Sequence, residues 1–439
     1  MSPHPLASAP APRTPREAVP PSSRRALGVD VARALALIGM VSVHVLPEEN
    51  REGGMSLAFG IAGGRGAALF ALLAGVSIAF VEKRSRGDFS GRALAADRAA
   101  LVVRGLLILL AGLMLGHLDT PIATIIPYFG VLFLLALPFY GRSSRVLLVA
   151  AAVFVVLGPI LRQLLNLHGL IPEQADPDAD YTLVTAAQQP LPFLSDMVVT
   201  GFYPAAMWMV YLCVGMVIGR QALTSRTLAL RLLGWGSALA AAAWALSMFL
   251  LGPVGGLQRL IGATPELDAD EIAEVLTFGP ETTLLPDSSW WWLATVAPYS
   301  ETPLSTLHTL GAAMAVLGFA LLITRGGGRV FTPFTAIGAM TLTLYSAHCI
   351  VMMLEILPED QPVVNLWIQV ISFMLFALMW RSSLGKGPLE AIISESSDWT
   401  RRRVREGWAK PSPSVPPLEA PSPDGDRTAA PEQHRGSAR

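Results

Sequence analysis

Four histidines lie inside strongly apolar runs of this sequence, where an ionisable side chain is costly and usually functional. They are His44, His117, His308 and His348. Imidazole gives or takes a proton near neutral pH, so histidines that meet in space are candidates for an acid-base centre. A lone histidine in such a run is more often a satisfied packing residue. Four of them are harder to explain in that way, and the group is a candidate acid-base centre.

The first apolar run, VDVARALALIGMVSVHV at residues 29–45, carries Asp30 and Arg33 before His44. On an α-helix, the spacing of Arg33 and His44 puts them on one face and about 16 Å apart. That face suits an elongated molecule with an anionic head and a reactive far end. The structural alternative is that Asp30 complements the helix N-terminus, Arg33 extends to lipid headgroups and His44 lies at an interface.

Three more arginines lie at or inside apolar runs. Arg98 and Arg104, in DRAALVVRGLL, are candidates for binding phosphates, because a planar guanidinium matches phosphate oxygens with paired hydrogen bonds. The alternative is the positive-inside signal, which accounts for Arg98 better than for the deeper Arg104. Arg65 lies between glycines in GIAGGRGAALFALLAG and needs an acceptor or an anion in the bundle interior.

A later run, FTPFTAIGAMTLTLYSAHCIV, places hydroxyl groups beside His348. Thr341, Thr343, Tyr345 and Ser346 fall within about two helical turns of it. Such hydroxyls most often bond back to their own helix, but their density here predicts a polar pocket wall.

A metal site is not expected. Zinc sites usually combine closely spaced histidines with nearby carboxylates or cysteines, and the four span histidines are far apart in sequence. Cys213 and Cys349 lie in apolar runs and form no CxxC pair.

The elements that must position these residues are membrane helices. The 439-residue chain is 52% hydrophobic and only 15% charged, with a mean hydropathy of +0.49. Apolar runs of about 20 residues, the length of a bilayer crossing, recur along it. We predict an all-α fold, a polytopic integral membrane helix bundle with about ten transmembrane helices, in the cell (plasma) membrane. The predicted spans are 28–47, 57–81, 97–117, 121–140, 145–166, 200–221, 228–251, 304–324, 333–356 and 363–381.

The loops between these spans sort by charge. Segments such as EKRSRGDFSGR and RRRVR are basic, whereas PEENREGG, LPEDQP and the two long segments 167–200 and 252–303 are mostly acidic. Basic loops face the cytoplasm, so both termini are predicted to be cytoplasmic. This topology puts the four span histidines in the outer half of the membrane. The arginines of the first and third spans then lie near the cytoplasmic face.

The chain is predicted to contain one membrane domain between two tails. Residues 1–25 read as a disordered cytoplasmic tail, residues 26–395 as the transmembrane domain, and residues 396–439 as a basic cytoplasmic segment with a disordered tail. The expected partner is the lipid bilayer and not nucleic acid; the net charge of −1 gives no information on nucleic acid in such a protein, where the distribution of charge between loops matters. The oligomeric state is left open.

Several of these motifs resemble a known family. Arg33, ten residues and His44, preceded by Asp30, are similar to the first-helix signature of membrane acyltransferases of type 3. IGAMTLTLYSAH resembles a later helix of that group. Residues 24–395 more widely resemble the transmembrane acyltransferase superfamily, and within it the heparan-alpha-glucosaminide N-acetyltransferase catalytic domain and the bacterial domain-of-unknown-function family 418. GGRGAALFALLAGVSIAF, GLMLGHLDTPIATIIPYFGVLFLLALP and the final GPLE support this, while Ala34 departs from the usual glycine after the arginine.

The resemblance implies transfer of an acyl group from cytoplasmic acyl-CoA to an extracytoplasmic glycan or lipid-linked sugar. The expected acyl group is acetyl. Arg33, Arg98 and Arg104 would then hold the phosphates of the CoA. The first-helix face would receive the pantetheine arm and end at His44, which together with Asp30 and Arg33 forms the predicted catalytic helix.

Roles at the reactive end follow from the same resemblance. His44 would act as general base, or, less favoured, form an acyl-histidine. Arg65, His117 or Tyr345 would stabilise the developing oxyanion, and His348 would lie on the substrate side. Two alternatives remain: a transporter or flippase whose polar residues line a pathway, and a non-catalytic envelope protein on the same scaffold.

Overall fold

The computed structural model describes residues 27–85, 91–118, 120–172, 180–280, 282–358 and 360–407, and this part of the chain is helical without any strand beyond an isolated bridge between Glu49 and Met55. The all-α prediction is confirmed. The tail predicted at 1–25 and residues 408–439 of the other tail lie outside the described residues.

The described residues form seventeen α-helices. Their bounds are α1 Leu27–Val45, α2 Leu57–Ala62, α3 Arg65–Ser85, α4 Gly91–Leu115, α5 Ile126–Leu135, α6 Ser144–Leu167, α7 Leu183–Gln188, α8 Pro190–Ser195, α9 Ala205–Gly219, α10 Arg226–Leu251, α11 Gly256–Ala263, α12 Ala269–Phe278, α13 Pro303–Ile323, α14 Thr332–Gly338, α15 Thr341–Leu354, α16 Pro362–Ser383 and α17 Pro388–Gly407.

Seven stretches in the described ranges are long and apolar enough to cross a membrane: α1, α2 with α3, α4, α6, α10, α13 and α16. Two bent pairs bring the total to nine if each is one span. They are Pro190–Thr200 with α9, bent by 44°, and α14 with α15, bent by 79°. The chain is therefore a multi-pass membrane protein, as predicted.

The fourth predicted span, 121–140, is shorter than expected. Its helix is α5, which has only 10 residues, whereas a crossing needs about 20. Pro138 explains the early end, because proline has no backbone N–H to donate and disfavours helical geometry in the residue before it. Residues 136–141 form turns instead. Because these turn residues are also apolar, the hydropathy of residues 121–140 predicted a span longer than the helix.

Close helix contacts hold the bundle together. Between α3 and α9, a Cβ on Gly75 would lie 2.1 Å from the carbonyl oxygen of Leu212, and one on Gly215 would lie 2.0 Å from that of Leu72. Small residues at such crossings allow backbone-to-backbone packing, which stabilises helix association in a membrane. No other residue type fits either position without moving a helix.

The break between α14 and α15 is fixed from two sides. Gly338, at the end of α14, lies against α1 so closely that a Cβ there would be 1.9 Å from the carbonyl oxygen of Asp30. At the start of α15, the Glu390 carboxylate accepts hydrogen bonds from the backbone N–H groups of Leu342 and Thr343, at 2.7 and 3.0 Å. A carboxylate is favourable at a helix N-terminus, so Glu390 of the GPLE motif caps the second half of the broken span.

The long segment that follows α10 folds into a small unit with its own core. That core contains Leu251, Leu260, Ile272, Leu285, Trp292 and Ala294. Trp292 is fully buried, and the Arg259 guanidinium lies 4.8 Å from the ring centre of Trp291. Trp290 is half exposed.

The last described helix, α17, folds back onto the membrane domain and packs along α4. Its Arg401 forms an ion pair with Asp97 at 2.8 Å, and the Asp97 side chain is buried. Residues 395 and 396, where the tail was predicted to begin, lie inside this helix.

Candidate functional site

A cavity of about 560 Å³ lies between α1, α3, α4, α5, the α14–α15 break and α17. Along α4 its wall includes residues from Asp97 to Ile108, a rise of about 16 Å. Charged side chains line one part of it: Arg33, Asp97, Arg104, Lys386, Glu390, Asp398 and Arg401. Apolar and aromatic side chains line much of the rest: Met40, Phe70, Leu73, Ile108, Ile125, Phe129, Phe133 and Tyr345. The cavity is therefore amphipathic along its length.

Arg33 reaches this cavity from the first turns of α1. Its guanidinium forms an ion pair with Asp30 at 3.1 Å and donates to Ser77 Oγ at 2.6 Å. These contacts hold the side chain in one orientation across to α3. Met40 lines the cavity two turns further along α1, so the predicted face borders the cavity at these two positions, whereas His44 does not line it.

Arg104 is the other arginine predicted for phosphate binding that lines the cavity. It forms no hydrogen bond or ion pair with the described residues, and its buried Nε has no partner there. The guanidinium lies 5.1 Å from the ring centre of Phe133 and interacts electrostatically with Arg33 and Glu390. A partly buried guanidinium with unused donors favours a nearby anion, so this position can accept one.

Arg98 does not line the cavity. It donates instead to the carbonyl oxygen of Tyr140, at 3.4 Å. The residue beside it, Asp97, does line the cavity and accepts from the Tyr140 hydroxyl at 3.0 Å as well as from Arg401. Sequence reasoning missed Asp97 and Arg401. A carboxylate at the start of an apolar run was the available signal for Asp97, whereas Arg401 lay within RRRVR, which was interpreted only as a topology signal.

Two of the four span histidines are in direct contact. His44 Nδ1 lies 3.0 Å from His348 Nε2, and the ring planes are nearly parallel, with centroids 5.2 Å apart. On its other side, His348 Nδ1 lies 2.7 Å from Gln369 Oε1, and Gln369 donates to Asn365 at 2.8 Å. His348, Gln369 and Asn365 are buried, whereas His44 is partly accessible.

Tyr345 connects this histidine pair to the cavity. It lines the cavity, and its ring centroid lies 6.4 Å from that of His44 and 6.2 Å from that of His348. Its buried hydroxyl makes no hydrogen bond of ordinary geometry within the described chain. The histidine pair thus lies one side chain beyond the cavity wall.

The other two histidines lie elsewhere. His308 Nε2 accepts from the Arg65 guanidinium, with Nη2 at 3.0 Å, and His308 Nδ1 faces the carbonyl oxygen of Ala240 at 3.0 Å. Arg65 also donates to the carbonyl oxygen of Gly60 at 2.7 Å, so it has the interior acceptors that the sequence required. Neither residue lines the cavity. His117 is exposed just past the end of α4.

The segment before α5 is anchored at the predicted outer side. Asp180 accepts from the backbone N–H of Thr124 at 3.1 Å and from its hydroxyl, and Ile125 next to it lines the cavity. Burial raises the pKa of the Asp180 carboxyl, and the hydrogen bonds from Thr124 oppose that rise by stabilising the charged form. Asp180 thereby holds one wall of the cavity in place.

A comparison with known protein families shows which family this chain belongs to. The family model described as "Heparan-alpha-glucosaminide N-acetyltransferase, catalytic" matches residues 25–251, just over half of the chain. The chain belongs to this family. The predicted membership is thus confirmed, and it makes the chain a multi-pass protein of a membrane acetyltransferase family. No curated protein matches the sequence.

The family match covers α1 to α10 and so contains His44, Arg33 and Arg104. It ends before Tyr345, His348 and Glu390. The contribution of these later residues to the site therefore rests on the contacts described above.

Proposed function

We propose that this protein is an acyltransferase of the plasma membrane that moves an acyl group, acetyl in the first instance, from acyl-CoA at the cytoplasmic side to an extracytoplasmic glycan or lipid-linked sugar. One observation carries the proposal. A single cavity has the unpaired guanidinium of Arg104 on its wall and Tyr345, next to the paired His44 and His348, at another point of that wall.

The residues present fit an acyl-CoA donor. Ligand cavities are typically about 300–1,000 Å³, and this one, at about 560 Å³, suits the narrow arm of such a donor with its nucleotide at the charged part. Arg104 would bind a phosphate with donors that the protein leaves unused. Arg33, already neutralised by Asp30, would add a weaker contact, and Lys386 and Arg401 are further cations on the wall.

Bound acyl-CoA would supply a thioester carbonyl as the electrophile. His44 Nε2 forms no hydrogen bond with the described residues, and we assign it as the general base. It would take the proton of an acceptor hydroxyl or amine as the acceptor oxygen or nitrogen forms the new bond to the carbonyl carbon. The carbon–sulfur bond breaks, and the proton on His44 passes to the departing sulfur, which restores the neutral imidazole.

Tyr345 is the best placed of the three oxyanion candidates. Its hydroxyl has an unused donor in the cavity wall, whereas Arg65 is engaged by His308 and Gly60 and His117 is exposed away from the cavity. A donor that is fixed and desolvated before the reaction stabilises developing charge most effectively.

The proposal is tested by analysing cell-envelope glycans and lipids by mass spectrometry. A deletion strain is complemented with the wild-type chain or with His44→Ala, and labelled acetate is supplied. We expect an acyl group to disappear on deletion and to return only with the wild-type chain. Return with both chains would overturn the role of His44, and an unchanged acyl profile on deletion would overturn the enzyme.

A transporter makes a different prediction. Reconstituted protein would exchange substrate across vesicle membranes without acyl-CoA, and His44→Ala would leave that exchange intact. The acyltransferase instead requires acyl-CoA on the side of the membrane at which α1 begins. Supplying it to sealed vesicles from one side at a time distinguishes these outcomes.

A further inference from the structure

We propose that Gln369 is a positioning residue: acting through His348, it fixes the tautomer of His44 so that Nε2 of His44 is the unprotonated, basic nitrogen. The effect of Gln369 on catalysis rests on the function proposed above. The tautomer itself can be measured without any substrate.

The orientation of the Gln369 amide follows from its two contacts. Its Nε2 donates to Asn365 Oδ1 at 2.8 Å, which directs Oε1 towards His348 Nδ1 at 2.7 Å. An amide oxygen only accepts hydrogen bonds. With the amide in this orientation, His348 Nδ1 carries a hydrogen.

The state of the second ring nitrogen follows from burial. His348 is fully buried, and no carboxylate in the described chain forms an ion pair with it. A buried, uncompensated imidazolium is costly, so His348 is neutral and its Nε2 presents a lone pair. That lone pair faces His44 Nδ1 at 3.0 Å.

Two lone pairs cannot form this contact, so His44 Nδ1 carries the hydrogen. A neutral imidazole has only one N–H, and Nε2 of His44 is therefore the free acceptor. Along the chain from Asn365 to His44, the position of the hydrogen in each contact determines its position in the next. The chain of bonds starts on α16, passes through α15 and ends on α1.

The side-chain amides of Asn365 and Gln369 form no other hydrogen bond within the described chain. Asn365 and Gln369 are four residues apart on one face, and both are buried, while most of the rest of the helix is apolar and much of it is exposed at the surface of the bundle. An uncharged amide also suits the role. Gln369 can accept from His348, but it offers no negative charge to draw a second proton onto His348 when His44 takes one from the acceptor.

Replacement by glutamate should reverse the assignment. The carboxylate of Gln369→Glu would stabilise a doubly protonated His348, whose Nε2–H would then donate to His44 Nδ1. His44 would be forced to carry its hydrogen on Nε2 and would lose its function as a base. Gln369→Met keeps the length of the side chain but removes the acceptor, so both histidines would populate a mixture of tautomers.

The test is nitrogen NMR of full-length protein labelled with ¹⁵N-histidine in lipid nanodiscs, since imidazole ¹⁵N shifts separate protonated from unprotonated nitrogens. His44 and His348 are assigned by single His→Asn substitutions. We expect Nδ1–H on both residues in the wild-type protein and Nε2–H on His44 in Gln369→Glu. Nε2–H on His44 in the wild-type protein would overturn the inference.

Gln163→Met is the matched control. Gln163 is also a buried glutamine in a membrane helix, with its amide donating to the Pro286 carbonyl oxygen at 3.2 Å, but it does not contact the histidines. We expect it to leave the tautomers and the rate of acyl transfer unchanged, whereas Gln369→Met lowers kcat at least tenfold with KM for acyl-CoA unaltered. An equal effect of both substitutions on kcat would overturn the positioning role.

The two hypotheses fail separately. The expected tautomers without any acyl transfer would contradict the proposed function and leave the assignment of His44 intact. Acyl transfer by a protein with Nε2–H on His44 would contradict the role of Gln369 and leave the proposed function intact.

Discussion

His44 and His348 are 304 residues apart in the chain, yet their ring planes lie only 8° apart and the rings share a hydrogen bond of 3.0 Å. The contact joins α1 to α15, so the C-terminal end of the first helix is positioned by the helix that follows the bend after α14. Nδ1 of His44 is engaged by His348, whereas Nε2 of His44 forms no hydrogen bond with the described residues.

Substitution of His44 should separate donor binding from transfer. We expect His44→Gln to lower the rate of acyl transfer by a factor of about 10²–10⁴, the range for loss of a general base, with little change in the Kd for acyl-CoA. Both are measured on protein in nanodiscs, by acyl transfer from labelled acyl-CoA and by calorimetry. His168→Gln, at an exposed histidine, serves as the control. A His44→Gln protein with wild-type rates would remove His44 from the mechanism.

Two neighbouring arginines should respond differently to the same substitution. Arg104 lines the cavity without a partner, whereas Arg98 donates to Tyr140 outside it. A charge-assisted hydrogen bond contributes about 1.5–3 kcal/mol, so we expect Arg104→Met to weaken acyl-CoA binding roughly 10- to 100-fold. Arg98→Met should change it by less than about threefold. The measurement is again calorimetry, and equal losses in the two proteins would contradict the assignment of Arg104.

The sequence predicted the positions of the helices better than their breaks. Predicted spans such as 145–166 and 304–324 differ by only a residue or so at each end from α6 and α13, because the cost of burying polar groups in lipid sets where a span ends. The break at residues 339–340 was not predicted. It depends on the approach of Gly338 to α1 and on the cap supplied by Glu390, which are contacts between distant segments.

The residues of the candidate site also divide into those that the sequence identified and those whose contacts it could not predict. Arg33, Arg104 and Tyr345 were identified because a charge or hydroxyl inside an apolar run is visible locally. The pairing of His44 with His348, and of Arg65 with His308, was not predicted, because it depends on which helices are neighbours. Gln369 and Asn365 were missed for a related reason: uncharged amides in a span give a weak signal until their partner is known.

The ion pair between α17 and α4 should hold α17 against the cavity. Asp97 is almost fully buried, and its carboxylate contacts Arg401 and Tyr140. Removing one partner of a buried pair is costly, although Arg401 is partly exposed, which reduces the effect; we expect Asp97→Asn to destabilise the docked helix by about 1–3 kcal/mol. Hydrogen exchange of residues 388–407 should accelerate accordingly.

Asp398→Asn provides the comparison for this helix. Asp398 also pairs with Arg401, at 2.6 Å, but its side chain is half exposed, and an exposed pair contributes only about 0–1 kcal/mol. Its effect on exchange should therefore be small. Faster exchange in Asp398→Asn than in Asp97→Asn would show that the buried carboxylate does not hold α17.

The stability of the protein should fall as pH rises because of Glu301, which lies just before α13. Its Oε1 accepts from Trp208 Nε1 at 3.1 Å, but its buried Oε2 has no partner in the described chain. Burial raises the pKa of Glu301 from 4.5 to about 7, against the opposing effect of Arg162. Between these two values the folded protein keeps the proton that the unfolded chain has lost, so unfolding becomes easier as pH rises through this window and levels off above it.

Glu301→Gln removes this ionisation while keeping an acceptor for Trp208. We expect the variant to be more stable than the wild-type protein at pH 8, by up to about 3 kcal/mol for such a shift, and to lose this advantage at about pH 3, where the wild-type carboxyl is neutral in both states. Thermal unfolding in nanodiscs across this range measures the difference. Glu274→Gln, at an exposed position of α12, should show no such pH-dependent gain. A Glu301→Gln advantage that grows towards low pH would mean that the carboxylate is ionised in the folded protein and stabilised by Arg162.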